Sequence, residues 1–348
     1  FPHIGSCIDD ISVIRSMWTT DDNHGAQVQF HSGRHMLDPR VPTIGAWTAY
    51  GLGALNENLP QFIGMGPRYF DRSDGHYLGP AYDEVKLKID PNNPLDYAKP
   101  EGDITGEEQL LGFGLVNRLN RLNQKNYPND AALEARIKSY ELAYRMQTAA
   151  PEALDLAKEP EHLKELYGLN VGKSKHFAAQ CMMARRLVER GTRFVQIYSG
   201  GMANQRSWDG HSDIKGNHSG FAAETDQPVA GLLTDLDQRG LLDETLVVWA
   251  GEFGRLPVAQ KGGKPGRDHN PHCFTAWMAG GGAKGGVSYG ESDEVGHKAA
   301  VDKVHVNDFH ATILHLLGFD HEQLTYRYGG RDFRLTDVAG KVIAPILA

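Results

Sequence analysis

Cysteine is scarce. Cys7, Cys181 and Cys273 lie far apart with no CxxC pair, which excludes a disulfide framework and a zinc-finger spacing. Blocks of Lys and Arg are missing as well. The net charge is −8 and the pI about 6.1, which argues against nucleic acid or an anionic membrane as the main partner. No apolar run approaches the ~20 residues that cross a bilayer, so no transmembrane segment is expected. No GxSxG elbow marks a serine nucleophile, and Gly280-Gly-Gly-Ala-Lys-Gly-Gly286 lacks the order of a nucleotide P-loop. No internal repeat or low-complexity tract is present. The chain opens at Phe1-Pro2-His3 with neither initiator Met nor signal peptide, so an N-terminal stretch is expected to have been removed.

What is present is an ordinary globular composition. With 348 residues, 40% apolar and 23% charged, the chain can bury a substantial core. Strands are expected over Ile11–Met17, Leu59–Met65, Thr192–Tyr198, Leu246–Ala250 and Cys273–Ala279. Helices are expected over Gly25–Ser32, Pro42–Gly51, Lys173–Gly191, Glu224–Gly240 and Asp308–Leu317, several closed by glycine. Leu110 to Tyr167 is helical in character, most clearly over Asp130–Arg145. Helix and strand alternating at this spacing predict an α/β fold with a parallel sheet. A loop-rich and helical excursion at about 66–170 is expected within a single domain spanning 1–348.

Histidine is abundant, with 16 residues, and several stand beside acids and glycines. Trp208-Asp209-Gly210-His211 follows one expected strand. The run Thr245–Ala250 leads directly into Glu252, whose carboxylate at a buried strand end needs a partner or a metal. Gly266-Arg-Asp268-His269-Asn-Pro-His272 precedes the next strand, and Asn307-Asp-Phe-His310 opens the last helix. Mixed carboxylates and imidazoles at the ends of strands predict a site for one or two divalent ions, Zn, Ca, Mn or Mg. The candidate ligands are Asp209, His211, Glu252, Asp268, His269, His272 and His310, with Asp268 as an alternative support for an imidazole. Arg255 is a candidate partner for Glu252 or for a substrate oxyanion. Asn23, His24 and the helix start around them are candidates for stabilising charge on a transferred group.

Together these segments resemble the alkaline phosphatase and sulfatase superfamily, and within it a sulfatase-like branch known as domain of unknown function fifteen-oh-one. The segments are Ile11–Met17, Asn23-His24 with His31-Ser-Gly-Arg34, Trp47–Gly53, Ser207–Ser212, Gly251–Arg255, Gly266–Pro271, Asp308–Leu314 and Gly330–Thr336. The resemblance implies an alkaline phosphatase-like fold, a mostly parallel central sheet sandwiched by helices with metals at the carboxyl ends of its strands. It implies a metal-dependent hydrolase of sulfate or phosphate esters, on a small-molecule or polysaccharide substrate, from an exported, periplasmic or secreted bacterial protein. Asn23 stands where sulfatases carry their nucleophile, and Phe253 where relatives have a ligand. Metal-binding aspartates on a first strand in relatives have no counterpart here. The rival readings are a degenerate member that binds a glycan or protein, and a phosphotransferase or mutase.

Overall fold

A computed structural model describes residues 1–68, 70, 74–89, 105–127, 130, 133, 134, 137, 138, 140–142, 144, 145, 154–200 and 207–348. The described strands are β1 (Ile11–Trp18), β2 (Phe62–Met65), β3 (Val85–Leu87), β4 (Phe194–Ile197), β5 (Val247–Trp249), β6 (Gly254–Ala259) and β7 (Arg267–Asn270). They continue with β8 (Phe274–Ala279), β9 (Val287–Tyr289), β10 (Glu291–Ser292), β11 (Ala299–Val301), β12 (Val304–His305), β13 (Tyr326–Tyr328) and β14 (Arg331–Phe333). The helices are α1 (Pro2–Gly5), α2 (Ala26–Ser32), α3 (Ile44–Leu52), α4 (Gly106–Asn126), α5 (Glu161–Tyr167), α6 (Lys175–Glu189), α7 (Ile214–Gln238) and α8 (Val306–Leu316). The chain is therefore α/β. Of the expected helix Asp130–Arg145, ten residues are described, and nine of them, between 133 and 145, are helical.

The central sheet is mixed rather than mostly parallel. β1 runs parallel to β12 and β9 and antiparallel to β8, which in turn is antiparallel to β5. The reason lies between β5 and β8. No crossover helix separates them; the β6–β7 hairpin does, so β8 starts at the sheet edge where β5 stopped and must run back. A second sheet, β3-β2-β4, is parallel throughout.

Alternation along the strands divides the core between two faces. Phe274, Ala276 and Met278 of β8 pack with Trp47 of α3 and Phe309, Ile313 and Leu314 of α8. Trp277 and Ala279 face the other way, onto Met182 of α6 and Val229, Leu233 and Leu236 of α7. A register shift between Ile14 and Met17 turns both toward α3 and α8, and both are fully buried. Each such side chain contributes about 1.5–3 kcal/mol of burial. Below the second face, Arg185 of α6 ties the segment just before α5 to α7 through Glu159 at 2.8 Å and Asp235 at 2.9 Å.

One helix begins ten residues before its expected start. The sequence predicts Glu224–Gly240, whereas α7 spans Ile214–Gln238. Asp213 starts it, accepting a hydrogen bond from Gly216 N, and Gly216 and Gly220 within its first turns hide the helical pattern.

Candidate metal centre

The registers Met17↔Phe274 and Trp249↔Trp277 bring the C-terminal ends of β1 and β5 to the edge where β8 begins. From that edge β1 leads to His24 at the start of α2, β5 leads to Glu252, and β7 carries His269 toward β8. The loop Ser207–Asp213 before α7 supplies Asp209 and His211. It is held in place by Gly266, where a Cβ would lie 1.9 Å from the His211 carbonyl oxygen, so only glycine allows the hairpin to come this close.

Asp209 is the focus and is almost fully buried. Its Oδ1 accepts from Arg255 at 2.6 Å and lies 2.8 Å from His211 Nε2 and 3.1 Å from His269 Nε2. Its Oδ2 lies 3.1 Å from His24 Nε2. Burial by itself would raise the Asp209 carboxyl, but the hydrogen bond and charge of Arg255, with His269 and His24, hold it well below the usual carboxylate range. Three imidazole Nε2 atoms thus converge on one carboxylate.

The opposite nitrogen of each ring meets an oxygen. His24 Nδ1 is 3.1 Å from Glu252 Oε1, His211 Nδ1 is 3.1 Å from Gln260 Oε1, and His269 Nδ1 is 2.8 Å from the Asp22 carbonyl. With the proton on Nδ1 in each of these contacts, Nε2 carries the lone pair and aims it inward, the tautomer that ligates a metal. Glu252 also raises the His24 pKa, chiefly through that hydrogen bond, against the lowering effect of burial. Phe253, expected to cost the site a ligand, stacks on His269 with ring centroids 4.2 Å apart.

Neutral imidazoles aimed at a carboxylate 3 Å away place lone pair against lone pair, as do the Nε2 atoms of His211 and His269 at 3.2 Å. Protons or a cation must stand between them. His24, Asp209 and His269 offer donor atoms all within 4.8 Å of one another, and so do His211, Asp268 and His269. Three imidazoles with one or two carboxylates make the donor set that a zinc-type ion accepts, so the residues fit a divalent ion.

Several expected site residues stand elsewhere. His310 is buried in α8 with Nε2 2.6 Å from the Phe30 carbonyl, and burial pushes its pKa down to about 4, a neutral core histidine. His272 is exposed and faces His297, with ring centroids 6.0 Å apart. Neither joins the donor groups around Asp209. Glu252 reaches the centre through His24 rather than directly. Arg255 pairs with Asp209 and the Arg267 carbonyl, not with Glu252. Asn23 is exposed, its Oδ1 accepting from His24 N at 2.7 Å. Gln260 and the Asp22 carbonyl were not foreseen; a glutamine and a backbone oxygen carry no metal signal in a sequence.

An α/β protein with a histidine-rich candidate metal centre at one sheet edge is the class so defined. Residues 1–347 match the family described as "Protein of unknown function (DUF1501)", and the chain belongs to that family. No curated protein matches the sequence. Among solved structures, it is similar to Ps i-CgsB in complex with k-i-k-neocarrahexaose, at 11% identity and a TM-score of 0.41 over 91% of this chain and 66% of that one. It is also similar to the phosphonate monoester hydrolase SpPMH from Silicibacter pomeroyi, at 12% identity and a TM-score of 0.36 over 99% of this chain and 71% of that one. The chain thus spans about two thirds of the first of these proteins.

Proposed function

We propose that the protein is a metal-dependent hydrolase of sulfate or phosphate esters, a sulfatase-like member of the alkaline phosphatase superfamily. The observation that supports it is the set of three Nδ1-anchored imidazoles whose Nε2 atoms meet at Asp209. A bound divalent ion supplies Lewis acidity toward the ester oxygens and lowers the pKa of a water. Asp209, His24 and His269 would hold it, with His211 and Asp268 around His269 as a second donor group.

The remaining residues position these donors. Glu252, Gln260 and the Asp22 carbonyl keep the rings in the ligating tautomer. Arg255 balances Asp209, and Phe253 walls off one face of His269. Exposure rises across the centre, from Asp209 at 3% to His211 at 32% and Asp268 at 52%, so substrate approaches from the His211 and Asp268 side. An amide cannot attack an ester, so Asn23 leaves water as the nucleophile. That same residue favours a second reading, a member that binds an anionic glycan or a protein without turnover.

The test is purified protein loaded with Zn²⁺, Mn²⁺ or Ca²⁺ and supplied with an aryl sulfate and an aryl phosphate. Turnover of one ester, abolished by Asp209→Ala and by His269→Ala, is the expected result. Metal uptake without turnover of either ester favours the binding reading. Absence of both uptake and turnover overturns the hydrolase and points to the binding reading.

A further inference from the structure

Helix α4 is built inside out. Over 21 residues it starts with a full capping box, Thr105 with Glu108, so its N-terminal boundary is well specified. Its protein-facing side carries Gln109, Phe113, Asn117, Asn120 and Gln124, all half-buried and all but one polar. Among the described residues, Asn117 Oδ1 and Asn120 Nδ2 are buried there without hydrogen-bond partners. The leucines point the other way. Leu111, Leu115, Leu119 and Leu122 are 69%, 60%, 56% and 52% exposed, at spacings of four, four and three that line up as one stripe. A surface helix normally buries such a stripe, and exposed apolar patches of this kind mark interaction sites.

Charge along the stripe says what covers it. Glu107 and Glu108 occupy the first turn, whereas Arg118, Arg121 and Lys125 lie in the second half. We propose that the stripe is covered by α4 of a second copy of this chain, packed antiparallel about a two-fold axis at Leu115. That axis sets Leu115 against the partner's Leu115 and Leu111 against the partner's Leu119. It also places Glu108 between the partner's Arg118 and the partner's Lys125. A parallel pair would set like charges together at both ends. Gly112 lies on the same side with open space around it, which allows close approach. An isologous contact of this kind closes as a dimer. A single helix pair is small beside the roughly 800 Å² per partner of a standard interface, so the dimer dissociates on dilution.

Sedimentation velocity on the full chain over a concentration series tests this. The wild type is expected to pass from monomer to dimer, and Leu115→Asp to raise the dissociation constant about a hundredfold or more, since the residue meets itself across the axis. Circular dichroism of Leu115→Asp should match the wild type, because the side chain touches no core. Arg118→Glu with Lys125→Glu, which leaves the Thr105–Glu108 capping box intact, should weaken the dimer about two- to fivefold. A wild type that stays monomeric at every concentration overturns the proposal. So does a Leu115→Asp variant that dimerises as well as wild type. Monomeric wild type that sediments with phosphatidylglycerol vesicles overturns it in favour of a membrane surface.

Discussion

Glu252 touches the centre through His24, which makes its replacement by Gln a sharp test of the metal reading. The carboxylate lies 3.1 Å from His24 Nδ1 and is one quarter exposed. Glutamine keeps an oxygen in the same place, so the Nδ1–H tautomer survives and only the charge is lost. Losing an outer partner of a ligating histidine costs about 10–100-fold in metal affinity, or about 1.4–2.7 kcal/mol. Solvent already screens part of the Glu252 charge, which puts the expected loss at the lower end, about tenfold. A zinc titration in competition with a chromogenic chelator reads this directly, with His272→Ala as the control. His272 is exposed and outside the donor groups, so its removal should leave the affinity unchanged. Equal zinc affinity for wild type and Glu252→Gln would refute the reasoning, as would a comparable loss on removing His272.

Asp209→Asn should destabilise the metal-free protein by about 3–5 kcal/mol, because Arg255 is left mostly buried without its carboxylate; chemical denaturation in chelator measures it. Without metal, the two shifted groups bound stability on opposite sides. The Asp209 contribution is present above the ordinary carboxylate value of 3.8 and is lost as pH falls through its lowered value. The His24 contribution is complete below 6.5 and is lost as pH rises through its raised value. Unfolding curves across pH should therefore show a basic limb that Glu252→Gln flattens, and an unchanged limb in that variant counts against the His24–Glu252 pair. Gly266→Ala should push the His211 loop away and weaken zinc binding while leaving the rest of the fold intact. An alanine variant that binds zinc as wild type does would show that the close approach does not position His211.

The strands and helices were legible wherever an apolar pattern had one period. β1, β5 and β8 follow directly from Ile11–Met17, Leu246–Ala250 and Cys273–Ala279, because β-branched and aromatic residues gather there. The first ten residues of α7 escaped, since glycines and polar side chains there leave no stripe to read. The direction of β8 escaped for another reason. Strand pairing is a long-range property, and the hairpin that reverses the chain is made of Gly254–Ala259 and Arg267–Asn270, which look like loop.

The polypeptide order by itself determined which chemistry was available: acids and imidazoles clustered at Asp209-Gly-His211, after one expected strand, and at Asp268-His269, before another. Folding decided which of them meet. His272 and His310 have the same side chain as His269, but one is turned outward beyond the hairpin and the other is locked to the Phe30 carbonyl in the core. Only the registers of β1, β5 and β8 bring His24 within 3.1 Å of Asp209, 185 positions away along the chain. Short-range pattern fixes secondary structure because it depends on neighbours three or four residues off. Ligand geometry depends on which way a side chain leaves a strand end, and that direction is set by partners the local sequence does not contain.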